Sequence, residues 1–240
     1  MTSQEIKLIA HGGFSTKFEE NTLVSYLAAA EFQPYAIEMD VIQHPQTGEL
    51  ICFHPSGVSS ASGTYSPEAI REQLKQNEQP PKLADVVRQI PGKSKFLIDF
   101  KQPAEDVFRK LLEDTEIDLS RIIIGVRNIE FFKFIKEINP DVELLALFSN
   151  PDDYKVFAQE GGKFFRLWEK DLEHNRIQAI QALGLEVWVT PGQKATETQK
   201  RTAGEVDEDK LDWLMGLMVN AVLVNDIEFA VEYLESFLPT

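Results

Sequence analysis

The segment Ala36-Ile37-Glu38-Met39-Asp40-Val41 decides the fold, because it combines the pattern of a buried β-strand with two acidic residues. Side chains two residues apart on a strand point to the same face, so Glu38 and Asp40 share a face. The three apolar residues that alternate with them suit the opposite face, packed against helices. The pattern therefore predicts a strand that carries carboxylates on one side and a core on the other.

Similar short apolar runs recur on both sides of this segment and alternate with amphipathic stretches along the whole chain. This alternation indicates a parallel sheet, and eight such units in 240 residues favour a closed (β/α)8 TIM barrel over an open sheet. We expect residues 1–240 to form a single domain. Strands are predicted at residues 6–10, 36–41, 95–100, 122–126, 143–148, 163–167, 186–189 and 221–224. Helices are predicted at residues 22–32, 83–90, 104–114, 129–138, 152–159, 171–183, 207–218 and 227–237.

Two stretches fit the repeating unit poorly. Residues 49–54 read as an extra extended segment, and the Ser/Gly-rich then polar residues 56–79 read as a long loop. Residues 193–205 are predicted to form a second loop. Loops of this length are rarely without a role, so we expect both on the rim that carries the functional site.

Composition excludes several classes of function. The net charge is −15, and no basic stripe suited to nucleic acid is present. No apolar run approaches the roughly 20 residues that a membrane-spanning helix needs. The lone Cys52 excludes an internal disulfide, and the first residues lack the pattern of a secretory signal, so we expect a cytoplasmic protein. The oligomeric state has no signature in the sequence.

Polar residues follow the ends of three predicted strands, where a TIM barrel has its active site. His11 follows the first strand, the second carries Glu38 and Asp40, and the third carries Asp99 with Lys101 on the same face. Buried carboxylates repel one another, and Lys101 alone cannot balance three of them. A hard divalent cation would do so, and oxygen ligands favour Mg2+, Ca2+ or Mn2+. The alternative is that these acids are scattered on the surface and appear grouped only through the assumed register.

A second histidine, His54, follows an apolar run that leads to the same rim. A single histidine at such a place is more often a hydrogen-bonded structural residue than a catalyst. Two histidines beside a carboxylate cluster suit the cleavage of a phosphodiester, which needs one base and one acid that titrate near neutral pH.

Ordered motifs over nearly the whole chain resemble those of the glycerophosphodiester phosphodiesterase family. The motifs are Leu8-Ile9-Ala10-His11, Glu20-Asn21-Thr22, Glu38-Met39-Asp40-Val41, Phe53-His54, Ile98-Asp99-Phe100-Lys101, Val187-Trp188 and Val222-Leu223-Val224-Asn225-Asp226. The resemblance implies a metal-dependent phosphodiesterase that converts a glycerophosphodiester into a phosphomonoester, such as glycerol 3-phosphate, and an alcohol. It implies His11 and His54 as the acid–base pair, Glu38, Asp40 and Asp99 as ligands of one divalent cation, and Lys101 as a substrate contact. By the same analogy Trp188 would line the pocket; the alternative is an aromatic residue of the barrel wall.

The chain also departs from the family pattern. Gly12 follows the first histidine where the family usually has a phosphate-binding arginine, and Pro55 follows the second where it has aspartate. Asp99 replaces the usual glutamate, and Asn225 replaces threonine. Our hypothesis is that Arg127 or Arg166, at the ends of two later strands, reaches the phosphate instead; the alternative is an arginine of the surface or the barrel wall.

Two other functions are compatible with these residues. The Asp-x-Lys strand and the missing arginine also resemble sphingomyelinase D toxins, which release a head group and can leave a cyclic phosphate. The third function is a barrel that binds a phosphodiester without turnover, and Gly12 and Pro55 are the features that favour it.

Overall fold

The computed structural model describes residues 6–56, 65–74, 80–102, 104–114, 117–193 and 202–237. Strands and helices alternate through these residues. The strands are β1 (Lys7–Ala10), β2 (Ala36–Gln43), β3 (Leu50–Cys52), β4 (Lys95–Phe100), β5 (Ile122–Val126), β6 (Glu143–Ala146), β7 (Phe164–Trp168), β8 (Glu186–Thr190) and β9 (Ala221–Val224). The helices are α1 (Leu23–Ala30), α2 (Pro67–Leu74), α3 (Leu83–Gln89), α4 (Ala104–Glu113), α5 (Ile129–Ile138), α6 (Tyr154–Gln159), α7 (His174–Gln181), α8 (Glu208–Gly216) and α9 (Ile227–Glu235).

Eight of the strands form a closed parallel barrel in the order β1-β2-β4-β5-β6-β7-β8-β9. The ring closes because β1 pairs with both neighbours, Ile9 lying opposite Ala36 on β2 and opposite Leu223 on β9. The prediction of a single (β/α)8 barrel is confirmed, and each predicted strand and helix is present within a few residues of its expected bounds. The carboxyl ends of all eight strands therefore meet at one mouth.

The remaining strand, β3, is the extra extended segment that the sequence predicts. It runs antiparallel to the end of β2, with Cys52 opposite Val41. The predicted loop 56–79 is wrong in one part, because it contains the helix α2. Ile70 of this helix is buried in a small apolar cluster with Ile42, Ile51 and Phe53. Residues 57–64, 75–79 and 194–201 of the two predicted rim loops lie outside the described residues.

Apolar side chains fill the middle of the barrel and leave polar ones at its two ends. The interior cluster takes one or two residues from each strand of the barrel: Ile9, Ala36, Leu97, Ile123, Leu145, Phe164, Trp188, Ala221 and Leu223. Below it, at the amino ends of the strands, Glu143 pairs with Lys95 and Lys163, and Lys7 lies 2.7 Å from Glu186. The polar residues above the cluster form the mouth.

The opposite face of every barrel strand packs on the helices. The large outer core contains residues that alternate with the interior ones, such as Ile37 and Met39 on β2. In the part of the chain that the structure describes, five of the α-helices begin with a side-chain cap, and the cap of α9 is Asp226, which accepts a hydrogen bond from the amide of Phe229. Among the described residues, no helix has both the length and the apolar character needed to cross a bilayer.

Candidate active site

Asp40 and Glu38 are held at the mouth by backbone and amide groups of the loop after β1. The side-chain amide of Asn21 donates to Asp40 Oδ2 at 2.9 Å, and its oxygen accepts from the amide of Asp40 at 3.0 Å. The hydroxyl of Tyr26 also donates to the side-chain oxygen of Asn21, at 2.7 Å. The amide of Gly12 donates to Glu38 Oε2 at 3.0 Å. The Glu-Asn-Thr motif of the sequence thus contributes by fixing a carboxylate.

The same loop explains why an arginine does not follow the first histidine. Gly12 has a φ of 63°, and a Cβ added to it would lie 3.0 Å from the Cβ of Glu20. A residue with a side chain is strained in this left-handed conformation. An arginine at this position would therefore require a different course of the loop that holds Glu38.

The three predicted metal ligands come together and are all buried. Glu38, Asp40 and Asp99 each offer an oxygen, and these oxygens lie within 4.8 Å of one another. Oxygens that surround one Ca2+ at about 2.4 Å are separated by similar distances, so the donor set fits a hard divalent cation. The predicted register is confirmed, since Asp40 lies directly opposite Asp99 on β4.

Cationic side chains contact the same carboxylates. The Nζ of Lys101 lies 2.6 Å from Asp40 Oδ1 and 2.6 Å from Asp99 Oδ2. The Nη2 of Arg127 lies 2.6 Å from Asp99 Oδ2 and also contacts Oδ1. Burial acts to raise the pKa of Asp99, but Arg127 and Lys101 outweigh it and hold the pKa below its ordinary value. Asp99 is therefore an ionised carboxylate between two cations.

Arg166 is a buried arginine that lies near the charges of Asp99 and Asp171 but lacks hydrogen-bond partners for part of its guanidinium group within the described ranges. It lies on the inner face of β7, between Phe164 and Trp168, and its guanidinium stacks 4.5 Å above the ring of Trp168. Its Nε and Nη1 have no hydrogen-bond partner among the described residues, and the residue is 5% exposed. Burial and the nearby charge of Arg127 lower its pKa to about 9, so the side chain stays protonated at neutral pH. An anion is the group that such a site lacks.

The charges of the mouth differ from the sequence-based expectation in one respect. From the sequence, Lys101 alone was set against the three carboxylates, and Arg127 or Arg166 was expected to reach the phosphate; in the structure Arg127 contacts Asp99, and Arg166 lies close enough to interact electrostatically with the same carboxylate. Three carboxylates thus face three cations. Charge repulsion alone therefore does not demand a metal ion, and the feature that favours a cation is the arrangement of the three carboxylate oxygens.

His11 lies at the end of β1 and is oriented by a residue that sequence reasoning assigned no role. Its Nδ1 lies 2.7 Å from Asn225 Oδ1, while the amide nitrogen of Asn225 donates to the carbonyl of Ala203 at 2.9 Å. The second bond fixes the carbonyl oxygen toward the ring, so the neutral imidazole carries its proton on Nδ1 and its lone pair on Nε2. Asn225 follows β9, and its place after a strand is the signal that could have identified it.

Gly204 makes this arrangement sterically feasible. It has a φ of 83°, and a Cβ added there would lie 2.2 Å from Asn225 Oδ1 and 2.7 Å from His11 Nδ1. Its carbonyl also accepts from the amide of Asn225 at 2.8 Å. The backbone after β8 therefore approaches the histidine so closely that only glycine fits.

His54 follows directly after the point where the chain is fixed to β2. The amide of Phe53 donates to the carbonyl of Asp40 at 2.8 Å. The His54 ring is half-buried and packs edge-on against Tyr65, with ring centres 6.0 Å apart. The amide of Tyr65 in turn donates to the carbonyl of Lys101 at 2.8 Å. His54 thus lies in a segment anchored to the strands that carry the acidic triad.

Trp188 lies elsewhere than the sequence predicts. Its side chain is fully buried in the interior cluster, where it packs on Phe164 and Tyr35. The indole nitrogen points toward Glu186, at the amino end of the same strand. Because the inward-facing residue at this level of β8 fills the middle of the barrel, Trp188 supports the floor of the mouth and does not join the other site residues.

Comparisons with known proteins were made with both the sequence and the structure. No family model and no curated protein matches the sequence. A protein from Galdieria sulphuraria described as a glycerophosphodiester phosphodiesterase superimposes with a TM-score of 0.76 at 18% identity, over 98% of this chain and 100% of that one. The chain has the fold of the solved glycerophosphodiester phosphodiesterases. At this level of identity the likeness extends to the fold alone.

Two further solved structures share the fold over nearly their full length. A glycerophosphodiester phosphodiesterase from Parabacteroides distasonis has a TM-score of 0.71 at 17% identity and covers 98% of each chain. A phosphodiesterase from Oleispira antarctica, solved with the product sn-glycerol-3-phosphate, has a TM-score of 0.66 at 16% identity, over 93% of this chain and 95% of that one. The resemblance that the motifs indicate is thus confirmed for the architecture.

Proposed function

We propose that the protein is a phosphodiesterase that cleaves a glycerophosphodiester into a phosphomonoester and an alcohol. The observation that carries the proposal is the buried Arg166, two of whose guanidinium nitrogens have no partner in the part of the chain that the structure describes, set in the same mouth as an oriented histidine and three carboxylates. An anionic group is what this arrangement can bind, and a base together with an acid is what phosphodiester cleavage needs. The product-bound phosphodiesterase of the same fold supports a phosphate ester as the ligand.

In the proposed mechanism, His11 is the general base. Its Nδ1 is held by Asn225, so the lone pair on Nε2 accepts the proton of the attacking hydroxyl, a glycerol hydroxyl of the substrate. His54, on the segment anchored to β2, is the general acid that protonates the departing alcohol. In this first step the bond from phosphorus to the attacking glycerol oxygen forms as the bond to the departing alcohol breaks, which gives a cyclic phosphodiester.

A water molecule then opens the ring: His54 takes a proton from the water, the bond from phosphorus to the water oxygen forms as the bond to the attacking glycerol oxygen breaks, and His11 returns its proton to that glycerol oxygen. The product is the phosphomonoester, and both rings return to their starting protonation states.

The charge that develops on the phosphoryl oxygens is balanced by fixed cations. Arg166 and Arg127 donate to two of these oxygens. They replace the phosphate-binding arginine that the family usually has at the position of Gly12, and Lys101 adds a third positive charge. Glu38, Asp40 and Asp99 would hold one divalent cation, Mg2+, Ca2+ or Mn2+, which when bound polarises the phosphoryl group. The low exposure of the mouth residues strengthens each of these interactions, because little water competes with them.

Phosphorus NMR of the purified protein tests this function. Glycerophosphocholine, glycerophosphoethanolamine and glycerophosphoglycerol would each be incubated with Mg2+, Ca2+ or Mn2+, and with excess chelator. We expect the diester signal to be replaced by that of a phosphomonoester in the presence of a cation and to persist with chelator.

Two other outcomes would point to the alternative functions. A persistent cyclic phosphate signal would favour head-group release of the sphingomyelinase D type, for which the Asp-x-Lys strand is the supporting feature. Tight binding of a diester without turnover under any cation would favour a barrel that only binds its ligand.

A further inference from the structure

A metal ion and the cationic side chains of the mouth would compete for the carboxylate of Asp99. A metal ion in the acidic triad requires lone pairs of this carboxylate, yet both of its oxygens contact the Nη2 of Arg127, and Oδ2 also lies 2.6 Å from Lys101 Nζ. A divalent cation and a guanidinium group at such short range repel each other. Arg127 therefore opposes cation binding while it stays on Asp99.

Two features of its surroundings favour movement of the Arg127 side chain from Asp99 to a bound anion. Its Nε is buried without a hydrogen-bond partner among the described residues, as are the Nε and Nη1 of Arg166. The two guanidinium groups are close enough for the charge of one to disfavour the charge of the other. A phosphate anion placed between them would satisfy these N–H groups and remove the repulsion.

We propose that Arg127 is a coupling residue, which exchanges Asp99 for a phosphoryl oxygen so that the divalent cation and the phosphate anion bind cooperatively. The inference rests on the proposed function, because it takes the acidic triad as the cation site and Arg127 with Arg166 as the anion site. Without the anion, Arg127 neutralises Asp99 and the cation binds weakly. With the anion, Asp99 becomes a full ligand of the cation.

Thermodynamic linkage makes the coupling reciprocal and measurable. If the anion raises the affinity for the cation, then the cation raises the affinity for the anion by the same factor, which we expect to be roughly tenfold. A variant that lacks the arginine should lose the coupling. It should also bind the cation more tightly than the wild type when no anion is present, because Asp99 then has one competitor fewer.

Binding of Mn2+, followed by the electron paramagnetic resonance signal of the free ion, tests this without any turnover. Titrations would be made with and without saturating sn-glycerol 3-phosphate at constant ionic strength, and corrected with a protein-free titration. The variants are Arg127→Gln and, as a matched control for the lost charge, Arg109→Gln on the exposed face of α4. Circular dichroism spectra and melting curves would verify that each variant is folded.

The expected result is a roughly tenfold lower Mn2+ dissociation constant in the presence of the anion, for the wild type and for Arg109→Gln. Arg127→Gln should bind Mn2+ tightly in both conditions. Equal coupling in Arg127→Gln and wild type, or Mn2+ binding without coupling in the wild type, would overturn the inference and leave the proposed function standing. No Mn2+ binding to any protein would overturn the cation site of the proposed function together with the inference.

Discussion

The hydrogen bonds of single side chains decide what the mouth can do. Asn225 holds His11 in one tautomer because its own amide is fixed by the carbonyl of Ala203, and Asn21 fixes Asp40 in the same way on the other side of β1. Both are uncharged amides that orient a reactive group without changing the net charge of the site. Partners of this kind are often worth one or two orders of magnitude in activity.

Asn225→Leu should lower kcat by about 10- to 100-fold and lower the free energy of unfolding by about 1 kcal/mol, because the carbonyl of Ala203 and the Nδ1–H of His11 lose their partner. Leucine has a similar volume but cannot accept the Nδ1 proton, so His11 would populate both tautomers. Nitrogen-15 NMR of the imidazole distinguishes the tautomers directly. Asn225→Asp, which keeps an acceptor, should retain the Nδ1–H form; an unchanged tautomer in Asn225→Leu would show that Asn225 does not orient the ring.

Arg166→Met should lower activity by about 100-fold without lowering the free energy of unfolding. Arginine here is buried, and two of its nitrogens have no partner among the described residues. Replacement of an uncompensated buried charge by an apolar residue is commonly neutral or stabilising, by up to about 2 kcal/mol. Urea unfolding measures the change in stability, and steady-state kinetics measure the change in activity. A less stable variant with full activity would identify Arg166 as a structural residue.

At the scale of elements, the turns that follow the strands bring the polar groups together. The strands themselves could be predicted, because alternation on β2 and β4 places the acidic residues on one face and the apolar ones on the other. The turn after β8 could not, because its need for glycine arises from the side chains of Asn225 and His11, which belong to distant parts of the sequence. The helix α2 was missed for a similar reason: Ile70 packs on Ile42 and Ile51 of the β2–β3 hairpin, which a local pattern does not reveal.

A pair of glycine variants isolates the effect of the turn after β8. Gly204 and Gly184 have φ values of 83° and 82°, but a Cβ at Gly184 meets nothing within 4 Å. Gly184→Ala should cost about 1 kcal/mol of unfolding free energy from the backbone alone and keep full activity. Gly204→Ala should cost more and lower kcat, since the added methyl group displaces Asn225 from His11. Equal effects of the two substitutions would contradict the close packing.

The ion pairs at the amino ends of the strands predict a specific response to acid. Burial acts to raise the pKa of Glu143, but hydrogen bonds from Lys163 and Lys95 outweigh it and lower the pKa. A carboxylate with a lowered folded-state pKa stabilises the protein above its unfolded pKa of about 4.3, and this contribution is lost as the pH falls through the folded value. Glu143→Gln should therefore lose roughly 1 kcal/mol at pH 7 and show a shallower loss of stability below pH 4.3. Urea unfolding at several pH values measures this, with Glu235→Gln on α9 as the control; an unchanged acid slope would contradict it.

At the scale of the whole molecule, closure of the barrel brings the two ends of the chain to one site. β1 pairs with β9, so His11 and Asn225 meet although the sequence separates them by 214 positions.

The eight-fold alternation and the strand-end rule were sufficient to predict the barrel, the acidic triad and the candidate histidine at the end of β1. The partner of each cation could not be predicted, because the contact of Arg127 with Asp99 and the proximity of Arg127 to Arg166 arise only in the folded barrel. Trp188 lies one layer below the mouth, in the interior of the barrel, and does not line the pocket. Its level depends on the register of the strands, which a sequence motif does not give.

Phosphorus NMR of glycerophosphodiester turnover by His11→Ala and His54→Ala tests whether the two histidines at the barrel mouth carry out the reaction. His174→Ala, a change of an exposed residue in the first turn of α7, is the matched control. We expect wild type and His174→Ala to convert the diester to a phosphomonoester, while each of the other two variants loses at least about 100-fold in rate. Full activity in either His11→Ala or His54→Ala would contradict the two-histidine mechanism.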